Sequence, residues 1–311
     1  MGDWSWELAI LLSKFVAYIS FVSLTGGLFV LFLGSRRNPQ GLVAIEWSAK
    51  ARIPLVRVLL AASGFGKLAI ILFFLLQVGQ VNQNGLAGMV DGFMIGLLAQ
   101  TPIGTGVGLR LAGFVLIGLS LVIYRGKLTG TSSPTLPTTL VLMWCLGLLL
   151  YGAGFSVLGH VANLDLLAKL LIGVHVLLVG MWIGALYPLL LLCRTEPASA
   201  IAPLMKRFGD YGWGITLGLV VAGGYLLTAL LGSVTELYTS PYGRLLSLKI
   251  VLVLCLLALA ALNKFRLVPA LYRAGSQPLQ RSIKGEICLA LVILVVTAVL
   301  STVIGPADHM A

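Results

Sequence analysis

The chain has 311 residues, of which 59% are hydrophobic and 10% are charged, and its mean hydropathy is +1.04. No water-soluble domain of this length has that balance. The net charge of +11 invites a nucleic-acid reading, but the bases are confined to alternate loops, which excludes nucleic acid as a partner.

Apolar runs of about 20 residues, long enough to cross a bilayer, recur eight times. In chain order they cover 7–34, 55–79, 105–124, 138–158, 164–192, 212–232, 244–263 and 285–304. They predict an all-α polytopic membrane protein with eight transmembrane helices. The first run follows MGDWSWELAI, which has two acids and no base. It is also too long for the apolar core of a signal peptide, so it is read as a span. The stretch 85–101 is apolar but broken by glycines, and reads as a re-entrant or interfacial piece.

Fifteen of the 21 Lys and Arg fall in four alternate loops or their flanks. Arg36, Arg37, Lys50, Arg52 and Arg57 lie between the first two segments or at the start of the second. Arg125 and Lys127 follow the third, and Arg194, Lys206 and Arg207 follow the fifth. Lys264, Arg266, Arg273, Arg281 and Lys284 lie between the seventh and eighth. Basic loops stay in the cytoplasm, where they meet anionic membrane lipid. Both termini are therefore expected on the periplasmic side of a bacterial inner membrane. The four cysteines, Cys145, Cys193, Cys255 and Cys288, fall within helices or at their cytoplasmic edges. Disulfides are not expected there.

An internal repeat is visible. TPIGTGVGLR (101–110) and SPYGRLLSLK (240–249) both read [ST]-P-x-G-x5-[RK]. Segments four and eight end alike, in SVLGH and TVIGP, and segments one and five share a late glycine, Gly26 and Gly184. The reading is two parallel four-helix repeats, 1–160 and 161–311, forming one membrane domain. Four helices per unit is an even number, so both copies have the same orientation. Nine residues before Gly184 stands His175, and nine before Gly26 stands Ala17, so any site should be asymmetric.

Ionisable residues inside a span are candidates for function. There are three histidines. His160 closes the fourth segment at the outer surface, and His309 lies in the outer tail. His175 lies about 16 Å into the fifth segment at about 1.5 Å per residue, near the midplane. Trp182, seven residues on, shares its helix face as a packing or gating residue. Imidazole suits copper, and thioether or thiolate suits Cu(I). His160 and His175, with Met181 and His309 as lesser candidates, are therefore the metal ligands to test. No two histidines have chelate spacing along the chain, so a site must be assembled in space. Met181, at i+6, is off the His175 face, while Cys255 lies at a similar depth in the seventh segment.

Six bases lie outside the basic loops: Lys14, Lys67, Arg110, Lys169, Arg244 and Lys249. Lys67 sits mid-helix, and Lys14, Lys169, Arg110, Arg244 and Lys249 could snorkel outward. Among acids at membrane depth, Asp165 marks the outer edge and Glu286 the inner edge. A cation path lined by unpaired bases would repel its cargo. Either these bases find carboxylates or lipid phosphates, or the translocated species is not a bare cation.

Several of these residues also carry a family resemblance. Gly159-His160, then His175 with Met181 to Leu186 and Pro188, are similar to the copper resistance protein D (CopD) family of bacterial inner-membrane proteins. So are Tyr242 to Leu246 with Lys249, Asn263 to Pro269, and Glu286. The resemblance implies eight helices, copper uptake or tolerance, and a periplasmic copper-binding protein or domain as partner. Such proteins often carry a histidine in the first helix, where Ala17 stands here, and a second one where Ile172 stands.

Three functions compete. The first is copper transport or homeostasis, with the copper ion transiently bound. The second is a b-type haem electron carrier, which needs two facing axial histidines where this chain has one deep histidine. The third is a non-transporting scaffold or assembly factor for copper proteins. No Walker motif, HExxH, carboxylate pair or nucleophile–base pair points to an enzyme.

Overall fold

The computed structural model describes residues 3–35, 47–130, 136–158, 160–231 and 233–302. Among these residues there is no strand, and eight helical spans are long and apolar enough to cross a membrane. They are α1 (Asp3–Ser35), α2 (Ala49–Asn82), α3 (Pro102–Ile123), α4 (Thr138–Ser156), the pair α5 (Leu166–Ile183) and α6 (Leu186–Thr195), α7 (Ala198–Leu230), α8 (Pro241–Leu262) and α9 (Gln277–Leu300).

Helix starts depart most from expectation where charge or proline imitates a loop. Helix α2 begins at Ala49 and runs through Pro54, which forfeits one backbone hydrogen bond without ending the helix. Helix α7 begins at Ala198 and includes Lys206, Arg207 and Asp210. These residues carry helix beyond the apolar stretch, because polar side chains at a membrane edge do not oppose helix formation. Pro188 acts differently. It has no N–H to offer the Gly184 carbonyl, and the fifth span breaks at Gly184 and Ala185 into α5 and α6.

The stretch 85–101 forms two short helices, Gly85–Gly88 and Gly92–Ala99. Asp91 caps the second by accepting the Met94 N–H at 2.9 Å. Neither is long enough to cross a bilayer.

The [ST]-P-x-G motif is a helix start. Thr101 and Ser240 are N-caps, and Pro102 and Pro241 open α3 and α8, where proline costs least. A Cβ on Gly104 would fall 2.2 Å from the Ala99 oxygen, and one on Gly243 would fall 1.9 Å from the Glu236 oxygen. In both places glycine lets a preceding short helix abut the new one.

Helix α1 is central and touches α2, α5, α6, α7 and α9. Its crossing with the fifth span is a backbone-to-backbone contact. A Cβ on Gly26 would lie 1.9 Å from the Gly184 carbonyl carbon, and one on Gly184 would lie 1.8 Å from the Val22 oxygen. Small residues at such crossings let helices gain dispersion contacts where lipid removes the hydrophobic drive. On one side of this crossing lies the most tightly filled part of the chain. The fully buried Tyr151 of α4 stacks on Phe21 at 4.0 Å and meets Phe114 edge-on at 4.9 Å. On the other side, α7 packs chiefly on α5, and α8 on α9.

Candidate functional site

His175 projects from α5 toward α7. Its Nδ1 is buried and has no hydrogen-bond partner. Glycine at 223 leaves room for the ring, whose Cε1 would lie 3.4 Å from a Cβ placed there. Lys249 of α8 is the charge that acts on the ring. Among the described residues Lys249 has no hydrogen bond or ion pair.

Two turns further along α5, Trp182 is buried against Ile215 of α7, Leu256 of α8 and Ile293 of α9, with Met181 packed beside it. The structure thus places Trp182 where α5, α7, α8 and α9 meet and His175 beside Gly223 of α7. His160 begins a short 3-10 helix, His160–Asn163, but its side chain lies outside the described residues, as does all of His309. Cys255 is exposed and does not join the interior. No group of three or more His, Cys, Asp or Glu that could hold a metal ion occurs among the described residues.

The deep bases of the first half find other partners. Arg110 is 4% exposed. Its Nη2 donates to the Gly154 carbonyl at 2.9 Å, and its guanidinium lies 4.0 Å from the Phe155 ring centre. Lys14 Nζ donates to the Ser301 carbonyl at 2.7 Å. The Lys67 ammonium lies in the space that Gly118 leaves free. Backbone carbonyls and aromatic faces thus take the place of carboxylates for Arg110 and Lys14.

The acid side is concentrated at the basic-loop end of α8 and α9. There α8 passes into a π-helix, Asn263–Leu267, closed by the Val268 N–H donating to the Asn263 carbonyl at 2.8 Å. Single π turns inside helices are frequent at functional sites. Asn263 Nδ2 donates to Glu286 Oε2 at 2.9 Å, and Glu286 is 2% exposed. Both line a cavity of about 180 Å³ whose roof includes Trp182. Lys264, on the same rim, donates to the Gly209 carbonyl. It pairs with Asp210 at 3.8 Å and lies 5.2 Å from the Trp213 ring centre. Sequence reading singled out Glu286 and, through the family resemblance, Asn263. It missed that the two touch, because they lie 23 residues apart on different helices.

A second carboxylate, Asp165, stands just before α5. One oxygen accepts the Ala168 N–H at 2.8 Å, capping the helix, and the other accepts the Tyr225 hydroxyl at 2.7 Å. The Tyr225 hydrogen bond, then the Ala168 amide, hold its carboxyl below the ordinary value of 3.8.

Eight membrane-length helices define a polytopic helical membrane protein, with unpartnered polar atoms in its interior. Residues 202–300 match the family model described as CopD: Copper resistance protein D. The chain is thus similar to copper resistance protein D over that segment, which is about a third of its length. The match spans most of α7 and all of α8 and α9, and so contains Lys249, Asn263 and Glu286 but not His175. No curated protein and no solved structure matches the chain.

Proposed function

We propose that the chain passes copper across a bacterial inner membrane, with His175 as the station near the midplane. The observation that carries this reading is the buried Nδ1 of His175, which has no hydrogen-bond partner. Burying a polar atom unpaired costs about 2 kcal/mol or more, and an imidazole nitrogen left free is a ready ligand for copper. His160 serves as the outer station, and His309 and Met181 are accessory ligands. Trp182 separates the histidine from the cavity below. A periplasmic copper-binding protein or domain exchanges copper at the outer face.

Lys249 sets the condition for passage. A copper ion reaching His175 meets this ammonium, so it travels with an anionic ligand that offsets the Lys249 charge. The basic loops face the cytoplasm and both termini face the periplasm, because Lys and Arg are retained on the inner side. The shared packing of Gly104 and Gly243, and the meeting of Gly26 with Gly184, support the reading of two parallel four-helix copies.

Copper accumulation in cells tests the transport reading. His175→Ala should abolish the copper-dependent phenotype, and His160→Ala should weaken it. Unchanged copper handling in His175→Ala would make the deep histidine structural and the mechanism wrong. A C-terminal reporter active only in the cytoplasm should stay silent, and a bright signal would overturn the orientation.

A further inference from the structure

The cavity beneath Trp182 contains an acid that the copper reading does not use. Its lining includes Trp182, Met205, Phe208, Trp213, Asn263 and Glu286. Lys264 also lies on its rim, but its ammonium is held by the Gly209 carbonyl, by Asp210 and over Trp213. Glu286 has no ion pair among the described residues. Lys264 and Asp210 balance one another, which leaves Glu286 as the acid of the cavity without an ion pair among the described residues. Asn263 gives its amide N–H to that carboxylate. Its own Oδ1 is buried with no partner, in a residue only 9% exposed. A carboxylate and an amide carbonyl, both acceptors, thus border one small space.

We propose that this cavity is a binding site for one monovalent cation, held between the Glu286 carboxylate and Asn263 Oδ1. The donor set decides the charge and class of the ligand. Ca²⁺ needs about six to eight oxygens, and Mg²⁺ needs an octahedron it seldom surrenders. Two side chains among aromatic and aliphatic walls offer neither. The nearby Lys264 ammonium further penalises a second positive charge. A single, weakly hydrated positive charge fits, because tryptophan and phenylalanine faces attract cations while the carboxylate neutralises them. Oxygen donors suit an alkali ion, whereas Cu(I) would have to draw on the Met205 thioether of the lining, since soft ions favour sulfur. The π turn at Asn263–Leu267 is the local device that sets the Asn263 amide against Glu286. His175 is not part of the lining, so the site does not depend on the copper reading.

Trp182 and Trp213 report on the site directly. The full chain, purified in detergent, is titrated with K⁺, Na⁺ and Ag⁺, the last standing in for Cu(I), while tryptophan fluorescence is followed. The expected result is a saturable one-site response to at least one of these ions, with no competition from equimolar Mg²⁺ or Ca²⁺. It should be retained in His175→Ala, lost in Glu286→Gln, and weakened roughly tenfold in Asn263→Ala, which is about 1.4 kcal/mol. Saturation by Ag⁺ alone identifies a copper exit station, and saturation by K⁺ or Na⁺ identifies a separate coupling ion. Absence of a saturable response to all three ions, or a response undiminished in Glu286→Gln, overturns the proposal. Infrared spectroscopy of the unmodified chain gives a test that no variant's folding can obscure. A protonated-carboxyl band that none of the ions removes would mean that Glu286 is a neutral hydrogen-bonding group and that the site does not exist.

Discussion

The two sides of the α1–α5 crossing treat buried polarity in opposite ways. In the first half, several buried polar side chains are paired and the space is filled, although Arg110 Nε has no partner. Arg110 rests on a carbonyl and a ring, Ser63 donates to the Phe114 carbonyl at 3.1 Å, and Trp144 Nε1 donates to Ser120 Oγ at 3.0 Å. In the second half, His175 Nδ1 and Asn263 Oδ1 have no partner, and a cavity opens among α7, α8 and α9. The apolar stretch of α1 is 67% buried inside the chain, against 6% for that of α8. A membrane helix gains little by hiding apolar surface from lipid and stays where packing and hydrogen bonds hold it. The first half serves as the scaffold in this comparison through α1 and α3, since α2 and α4, at 33% each, are less buried than the fifth span, at 56%. The second retains unsatisfied groups of the kind that binding or transport uses.

The position of Ala17 sharpens this contrast. The resemblance to the CopD family leads one to look for a histidine there. Ala17 is buried, and the Tyr151 hydroxyl donates to its carbonyl at 3.4 Å. The neighbouring space is filled by the rings of Tyr151 and Phe21. Where the resemblance would put a histidine, the first half has an aromatic stack, so the deep histidine of the second half has no counterpart there.

The largest effect is expected at the crossing itself. Gly184→Leu places a side chain where even a Cβ would overlap the Val22 carbonyl. Overpacking ordinarily costs about 1 to 3 kcal/mol, but here the obstacle is backbone, which cannot rotate away. The variant should yield no monodisperse protein on size-exclusion chromatography, and a normal profile would show that the crossing can open. Next comes Tyr151→Ala, which removes a fully buried aromatic ring. It should cost about 3 to 5 kcal/mol, read as a lowered thermal midpoint. Tyr151→Phe should cost far less, because the Ala17 hydrogen bond is long.

The same comparison predicts the opposite behaviour for the second half. Lys249→Met removes an unpaired ammonium and keeps the length of the side chain. The expected change in stability is within about 1 kcal/mol, since the ammonium of this half-buried residue has no hydrogen bond or ion pair among the described residues to lose. Copper handling should change at the same time, because Lys249 acts on His175. A large loss of thermal stability in Lys249→Met would show that the lysine is structural, and the division between scaffold and working half would fall.

The sequence carried much of this. Hydropathy placed eight spans, because a run of apolar residues long enough for hydrocarbon has few alternatives. It placed helix ends less well, as at Ala198, since helix continues past the membrane edge at little cost. It singled out His175, Trp182 and Glu286 one by one, because an ionisable or aromatic residue in an apolar run is conspicuous. It did not pair Glu286 with Asn263, or His175 with Lys249. The Asn263–Glu286 contact, and the reach of the Lys249 charge to His175, depend on the rotation of α8 and α9 about their own axes. The small apolar residues that set such rotations look much alike on every face of these helices.

The smallest expected effect lies at the edge of the working half, where Asp165 ties the start of α5 to Tyr225 of α7. Its carboxyl is held below its ordinary value of 3.8, so it favours the folded state only when ionised. The direction follows from the lowered value. The contribution is complete above about 3.8 and is lost as pH falls through the lower value of the folded chain. Asp165→Asn keeps a side chain that can still cap α5 and removes only the charge. Its thermal midpoint should therefore lie slightly below that of the unmodified chain at pH 7, with the gap narrowing as the pH is taken below the ordinary carboxylate value. Tyr225→Phe should produce a gap of the same sign and the same pH dependence, since it removes the larger of the two hydrogen bonds that hold the carboxyl down. A gap that stays constant from pH 7 into acid in both variants would mean that the Asp165–Tyr225 contact does not tie α5 to α7. The orientation of His175 toward Gly223 would then rest on Gly180, Gly184 and the packing of α5 against α1 alone.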